Sequence, residues 1–187
     1  MDVGKDKLLE MYRSMQRIRQ FETKTRDLAL ANELPGFVHV SIGEEASATG
    51  VCAALRKTDR ITSTHRGHGH LLAKGGRLDR MMAELYGKRT GYCKGKGGSM
   101  HIVDYALGIL GANGIVGGGI PIATGSALAA VVARKVTVAS PTTAGHIMRR
   151  IEFPPQECAT CYGQPSASSH SGKAQIAHEL RGLVNRW

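Results

Sequence analysis

The sequence predicts an α/β layered fold, and three observations carry that prediction. Amphipathic helical stretches alternate with short strand-like runs, the pattern of helices packed on a sheet. Eleven of the 24 glycines fall within residues 87–119. That run leads straight into an apolar helix opened by Pro121, whose missing N–H is harmless in a first turn. At 187 residues the chain is long enough for one domain with a real core.

Residues 6–33 predict a helix, because Leu8, Met11, Tyr12, Met15, Ile18 and Phe21 recur at three- and four-residue steps. Arg13, Arg17, Lys24 and Arg26 form its other face, and Pro35-Gly36 ends it. Residues 37–40 are extended. Residues 43–57 are a second helix, with Glu44 and Glu45 in the first turn, where the helix dipole favours acids. Residues 60–64 are strand-like, and His65-Arg66-Gly67-His68-Gly69-His70 interrupts. Residues 78–86 make a third helix with Leu78, Met81, Met82 and Leu85 as its buried stripe. Residues 122–133 are apolar nearly all round, which predicts burial in a core or an interface. Residues 135–139 begin like a strand. After Ser140 the pattern is lost: prolines and a serine-rich run, residues 166–172, read as a poorly ordered tail, with weak helical periodicity only over 176–187. The expected organisation is a domain over 1–140 and a tail over 141–187.

The glycine-rich run admits two readings. Glycine lets backbone approach a ligand closely, and converging amides before a helix bind an anion such as a diphosphate. The alternative is a flexible linker. Interleaved Ile102, Val103, Leu107, Ile109, Leu110, Ile115 and Val116 argue for packed structure. His65, His68 and His70 beside Arg66 form the densest polar cluster. Their spacing does not put three imidazoles on one helical face, so no residue is assigned to a metal. Each is either a structural histidine or part of a strand-end loop that moves protons and pairs anions. Cys158 and Cys161 have C-x-x-C spacing without further ligands or a redox setting. No P-loop, dinucleotide fingerprint or nucleophile elbow occurs.

Composition narrows the classes. Formal charge is +10, but no Lys/Arg run exceeds two and aromatic residues for base stacking are few, which disfavours nucleic acid. No run of about 18 apolar residues occurs, so no membrane span is expected. The first residues lack a signal-peptide apolar core, and four cysteines without regular spacing suit a reducing compartment; a cytoplasmic location is the expectation.

Four ordered motifs carry a resemblance: residues 37–46 (Phe37-Val-His39-Val-Ser-Ile-Gly43-Glu-Glu45-Ala), 62–69 (Thr62-Ser-Thr-His-Arg66-Gly-His68-Gly), 94–101 (Lys94-Gly-Lys-Gly-Gly-Ser-Met-His101) and 113–117 (Asn113-Gly114-Ile-Val116-Gly117). Over residues 7–140 the chain resembles the alpha subunit of the dehydrogenase component of thiamine-diphosphate-dependent 2-oxo acid dehydrogenase complexes, of the pyruvate or acetoin type. The resemblance implies the N-terminal part of a thiamine-diphosphate-binding fold, incomplete here. It implies thiamine diphosphate held at an interface with a beta subunit, in an assembly of two alpha and two beta chains. It also implies acyl transfer to the lipoyl group of an acyltransferase after decarboxylation of a 2-oxo acid or cleavage of acetoin. Phe37 and His39 would line the active-site entrance. His65, which stands where the family often has Tyr, and Arg66 would reach the diphosphate. His68 would sit near substrate, with His39 and His68 as the catalytic pair. Gly114 and Val116 would offer backbone to the aminopyrimidine ring.

The resemblance also implies Mg²⁺, held by the aspartate of a Gly-Asp-Gly and by an asparagine. At that place this chain has Ala139-Ser-Pro-Thr-Thr-Ala-Gly145, so the family's metal ligands are missing. From about residue 150 the family pattern is gone. A frameshift near Ser140 would produce both the odd tail and the early stop. The expected activity is then impaired by truncation, and the alternative is an inactive fragment that serves as a subunit-interaction module.

Overall fold

The computed structural model describes residues 3–132, 138–140 and 149–151, with side chains described up to residue 130. Helix α1 spans Lys5–Leu30, α2 Glu45–Ala54, α3 His68–Ala73, α4 Leu78–Leu85 and α5 Gly119–Val132. Strand β1 is Arg60–Thr64, β2 Ile109–Asn113, β3 Val138–Ser140 and β4 Arg149–Ile151. The architecture is mixed helix and strand, as expected for the α/β class.

The sheet has the order β2-β1-β3-β4. Both β2 and β3 run parallel to β1, and β4 is antiparallel to β3. Ile61 aligns with Ile109 and Thr64 with Asn113, with a register shift after Ile61. The chain therefore leaves β1 for one side, returns through α5 and places β3 on the other. In open parallel sheets such a reversal opens a crevice at the carboxyl ends of the strands.

The core follows from side-chain alternation. Ile61 and Ile109 join Ile18, Phe21, Leu28, Leu71, Met81 and Leu85 in one cluster. The next residue on β2, Leu110, packs instead against Ala123 and Ala127 of α5. Successive strand residues point to opposite faces, so α1, α3 and α4 cover one face and α5 the other. On α1 the buried stripe is Met11, Met15, Ile18, Phe21, Glu22, Thr25 and Leu28.

Several expectations change. Strand β2 lies inside the glycine-rich run, where no strand is assigned from the sequence. The histidine cluster is split: His65 stays in the turn after β1, whereas His68 and His70 enter the short helix α3. Helix α5 buries Ala123 and Ala127 but exposes Ile120, Ile122 and Leu128. One side of the helix thus packs on the sheet, and the other is an open apolar face. Of the expected tail over 141–187, the described part is strand β4; the rest, with Cys158 and Cys161, and residues 141–148, where the resemblance implies metal ligands, lie outside the described residues.

Candidate functional site at the strand ends

The carboxyl ends of β1 and β2 lie side by side, because Thr64 pairs with Asn113. His65 and Arg66 follow the first, and Gly114–Val116 follow the second. The turn after Arg66 needs Gly67, where a Cβ would come within 2.9 Å of Ser63 Oγ. After β2, Asn113 Oδ1 accepts the Ile115 N–H at 2.8 Å and shapes the loop. Gly114 is exposed and faces His101, whose Nδ1 lies 3.3 Å from the Ala112 carbonyl oxygen. Val116 is 72% exposed.

A third segment, residues 35–44, closes over these ends. The Arg66 guanidinium donates to the Val40 carbonyl, and Ser41 Oγ donates to the Arg66 carbonyl at 2.9 Å. These bonds bring the His39 ring edge-on to the His65 ring, with centroids 5.6 Å apart. Phe37 stands at the rim, 84% exposed. Behind it, Glu45 accepts from Gly43 N–H at 3.1 Å and pairs with both nitrogens that Arg19 presents.

Among the described residues, the buried side-chain polar atoms without a partner are Thr25 Oγ1, His39 Nδ1, His65 Nδ1 and Glu44 Oε2. The His39 and His65 atoms lie in this cluster, and Glu44 feels the charge of Arg66. Unpartnered buried polar atoms are costly and mark a place where a ligand or partner completes the structure. Burial pushes the His65 imidazole below its ordinary value, and neighbouring Arg66 and His39 push the same way. Burial raises the Glu44 carboxyl; Arg66 opposes this, and Glu45 and Glu22 reinforce it.

His68 takes a different position from the one expected. It is fully buried, with Nδ1 2.9 and 3.2 Å from the two Glu22 oxygens. Its Nε2 lies 3.0 Å from Ser99 Oγ and 3.1 Å from the Ser99 carbonyl oxygen. Ser99 Oγ in turn accepts the His39 N–H at 2.9 Å. Both His68 nitrogens are thus engaged inside the protein, so the ring reaches the site through Ser99 rather than by direct contact.

The glycine-rich run also departs from the expected anion cradle. Its amides do converge on an anion, but that anion is the protein's own Glu84, which is fully buried on α4. Glu84 Oε2 accepts from Cys93 N–H at 2.7 Å and Gly95 N–H at 2.9 Å. Oε1 accepts from Gly97 N–H at 2.8 Å and Gly98 N–H at 3.2 Å. The glycines are needed for close approach. At Gly95 (φ +77°) a Cβ would fall 2.3 Å from the Gly87 carbonyl, and at Gly91 2.4 Å from Glu84 Oε2. The part of the run left open to a ligand is the β2 end, from Gly114.

Of the residues predicted from sequence, Phe37, His39, His65, Arg66, Gly114 and Val116 are gathered on the three segments at the strand ends. Ser99, Glu22 and Glu44 were not anticipated as site residues. Among the described residues no group of three or more His, Cys, Asp or Glu could hold a metal ion. None of the helices among them is long and apolar enough to cross a membrane.

Comparison with known proteins defines the class. Residues 13–146 match the model of the dehydrogenase E1 component, and the chain belongs to that family. It is 61% identical over 130 residues to the alpha subunit of the acetoin:2,6-dichlorophenolindophenol oxidoreductase of Bacillus subtilis (strain 168), covering 70% of this chain and 39% of that protein. It is 40% identical over 134 residues to the chloroplastic pyruvate dehydrogenase E1 component subunit alpha-3 of Arabidopsis thaliana, covering 72% of this chain and 31% of that protein. The mitochondrial pyruvate dehydrogenase E1 component subunit alpha of Saccharomyces cerevisiae is 42% identical over 128 residues, covering 68% and 30%. The chain spans less than two fifths of the length of these relatives.

Proposed function

We propose that this chain forms the cofactor-facing part of an alpha subunit that, with a beta subunit, oxidatively decarboxylates a pyruvate-like 2-oxo acid or cleaves acetoin. The acyl group then passes to a lipoyl arm. The observation that carries the reading is the meeting of His39 Nδ1, His65 Nδ1 and Arg66 at the strand ends, where buried polar atoms lack partners. Thiamine diphosphate fits this donor set: Arg66 and a neutral His65 N–H suit phosphate oxygens, and exposed backbone at Gly114 and Val116 suits the edge of a ring. When bound, that group supplies the carbanion chemistry, and the protein orients it and excludes water.

This chain's own residues do the holding. Arg66, tied to Val40, keeps residues 37–40 over the strand ends. Phe37 walls the entrance. His39 offers a proton-moving nitrogen toward substrate, and His68 holds that segment through Ser99. The Mg²⁺ that the family uses with the cofactor would be held by the segment after β3, and the residues that the resemblance implies for it are not in this sequence. Loss of those ligands predicts weak binding and low activity for this chain alone. The location proposed is cytoplasmic.

A second reading is a non-catalytic module that pairs with a beta subunit. The exposed Ile115, Val116, Ile120, Ile122 and Leu128, beside the same loop, favour a covered face. Calorimetric titration of thiamine diphosphate, with and without Mg²⁺ and with and without a family beta subunit, separates the two. Mg²⁺-dependent binding supports the catalytic reading. Absence of binding in every arm, with retained beta-subunit pairing, supports the module.

A further inference from the structure

The buried line of Glu22, His68 and Ser99 runs through three separate elements and ends on the backbone of His39. The Glu22 carboxylate only accepts, so the proton between Glu22 and His68 sits on Nδ1. A ring protonated at Nδ1 alone has one acceptor, Nε2, which takes the Ser99 hydroxyl proton at 3.0 Å. Ser99 Oγ, its own proton so committed, presents lone pairs to the His39 N–H at 2.9 Å. Each bond fixes the direction of the next. The same Nε2 lies 3.1 Å from the Ser99 carbonyl oxygen, the partner that an imidazolium would choose instead. Apart from the His39 amide, all members of the line are buried.

A buried glutamate, histidine and serine in hydrogen-bonded order resembles an arrangement that activates a hydroxyl. Here the hydroxyl is not free to attack, because both of its sides are occupied and Ser99 is buried. The output of the line is geometric: it fixes where residue 39 leaves the 35–44 segment. The His39 ring carries an unpartnered Nδ1 and packs edge-on to His65. No other hydrogen bond to the His39 backbone occurs among the described residues.

We infer that Ser99, oriented by His68 and Glu22, is a positioning residue that holds His39 against His65 at the strand-end site. This rests on the proposed reading only in assigning His39 to a reacting site; the positioning itself is a property of this chain. Because the line includes the one contact that ties residues 93–101 to residues 35–44 through His39, loss of the Ser99 hydroxyl releases His39 without removing a core side chain.

The test uses the whole chain, by nuclear magnetic resonance with labelled histidines and by amide exchange. In Ser99→Ala the His39 amide should exchange roughly five- to tenfold faster, the loss of about one net hydrogen bond. The His65 titration should move upward toward its ordinary value, because His39 is among the groups that depress it, with burial and Arg66. Glu22→Gln should move both readouts in the same direction, and the double variant should show less than the sum, since both act on one line. A core variant outside the line, Met81→Leu, should move neither. Unchanged His39 exchange and His65 titration in a folded Ser99→Ala variant overturn the inference. If both respond while the chain and its beta-subunit complex fail to bind thiamine diphosphate, the positioning stands and the proposed site reading falls.

Discussion

Replacing Glu84 tests whether the glycine-rich segment is held by an internal anion. Its two oxygens accept from four backbone N–H groups at 2.7, 2.9, 2.8 and 3.2 Å. Bonds to a charged group contribute about 1.5–3 kcal/mol each, and a buried donor left alone costs about 1–3 kcal/mol. Glu84→Gln keeps the shape and one acceptor oxygen, but turns an NH₂ group toward two N–H donors. Two bonds are then lost and two donors oppose a third, a cost of about 3–6 kcal/mol. That is a large fraction of the roughly 5–15 kcal/mol expected for a domain. Glu84→Ala removes the remaining partner as well. Urea unfolding would give the total, and amide exchange at Cys93, Gly95, Gly97 and Gly98 would localise it. The segment should lose protection before the rest of the core. A Glu84→Gln protein within about 1 kcal/mol of the parent, with those four amides still protected, would refute the reasoning.

Further outcomes rest on the same structure. Gly95→Ala sets a Cβ 2.3 Å from the Gly87 carbonyl at a positive φ, so the urea midpoint should fall by several kcal/mol equivalent. His70 is buried against Ser63 Oγ at 2.8 Å, and burial pushes its imidazole down to about 4. The unfolded chain binds that proton near its ordinary value, so His70 supports the fold fully above about pH 6.5. Its contribution of about 3 kcal/mol is lost as pH falls toward 4, visible in urea midpoints measured across that range. Arg66→Ala should weaken thiamine diphosphate binding by about tenfold or more in calorimetry, and Arg66→Lys should recover only part of it, because a point charge replaces a fork.

Helix α1 was legible because its apolar residues repeat at the period of the element, and strand β1 because Ile61, Thr62 and Thr64 are β-branched. Strand β2 was not. Its Ile-Leu-Gly-Ala-Asn sequence sits among glycines, and only its pairing with β1, almost fifty residues away in sequence, makes it a strand. Glu84 was read over for a similar reason, since an acid on a helix usually faces water. A signal was present: Met81, Glu84 and Leu85 fall on one face, so the acid lies within the buried stripe. Glu22 is the same case between Ile18 and Thr25 on α1. A buried acid needs donors, and the sequence alone could not say that these were a glycine segment and His68. Phe37, His39, His65, Arg66, Gly114 and Val116 came from family motifs, and the fold explains why they meet: each follows or covers the carboxyl end of a parallel strand.

The assignment of the glycine amides to Glu84 changes the electrostatics of the site. Amides of the kind that cradle a diphosphate are already satisfied by a carboxylate of this chain. Lowered by burial, His65 is neutral near pH 7 and contributes a hydrogen bond but no charge. Arg66 is therefore the cation that the described residues bring directly to these strand ends, and it is already shared with the Val40 carbonyl. One shared guanidinium is poor compensation for a diphosphate removed from water. Further positive charge would have to come from outside these described residues, and the carboxyl end of β3 lies beside β1 at the reversal of the sheet. In the proposed reading a metal held by the segment after β3 would supply that charge, and the Gly-Asp-Gly that the resemblance implies there is not in this sequence. On that reading, function turns on what the sequence beyond Ser140 supplies as well as on the histidine and glycine motifs.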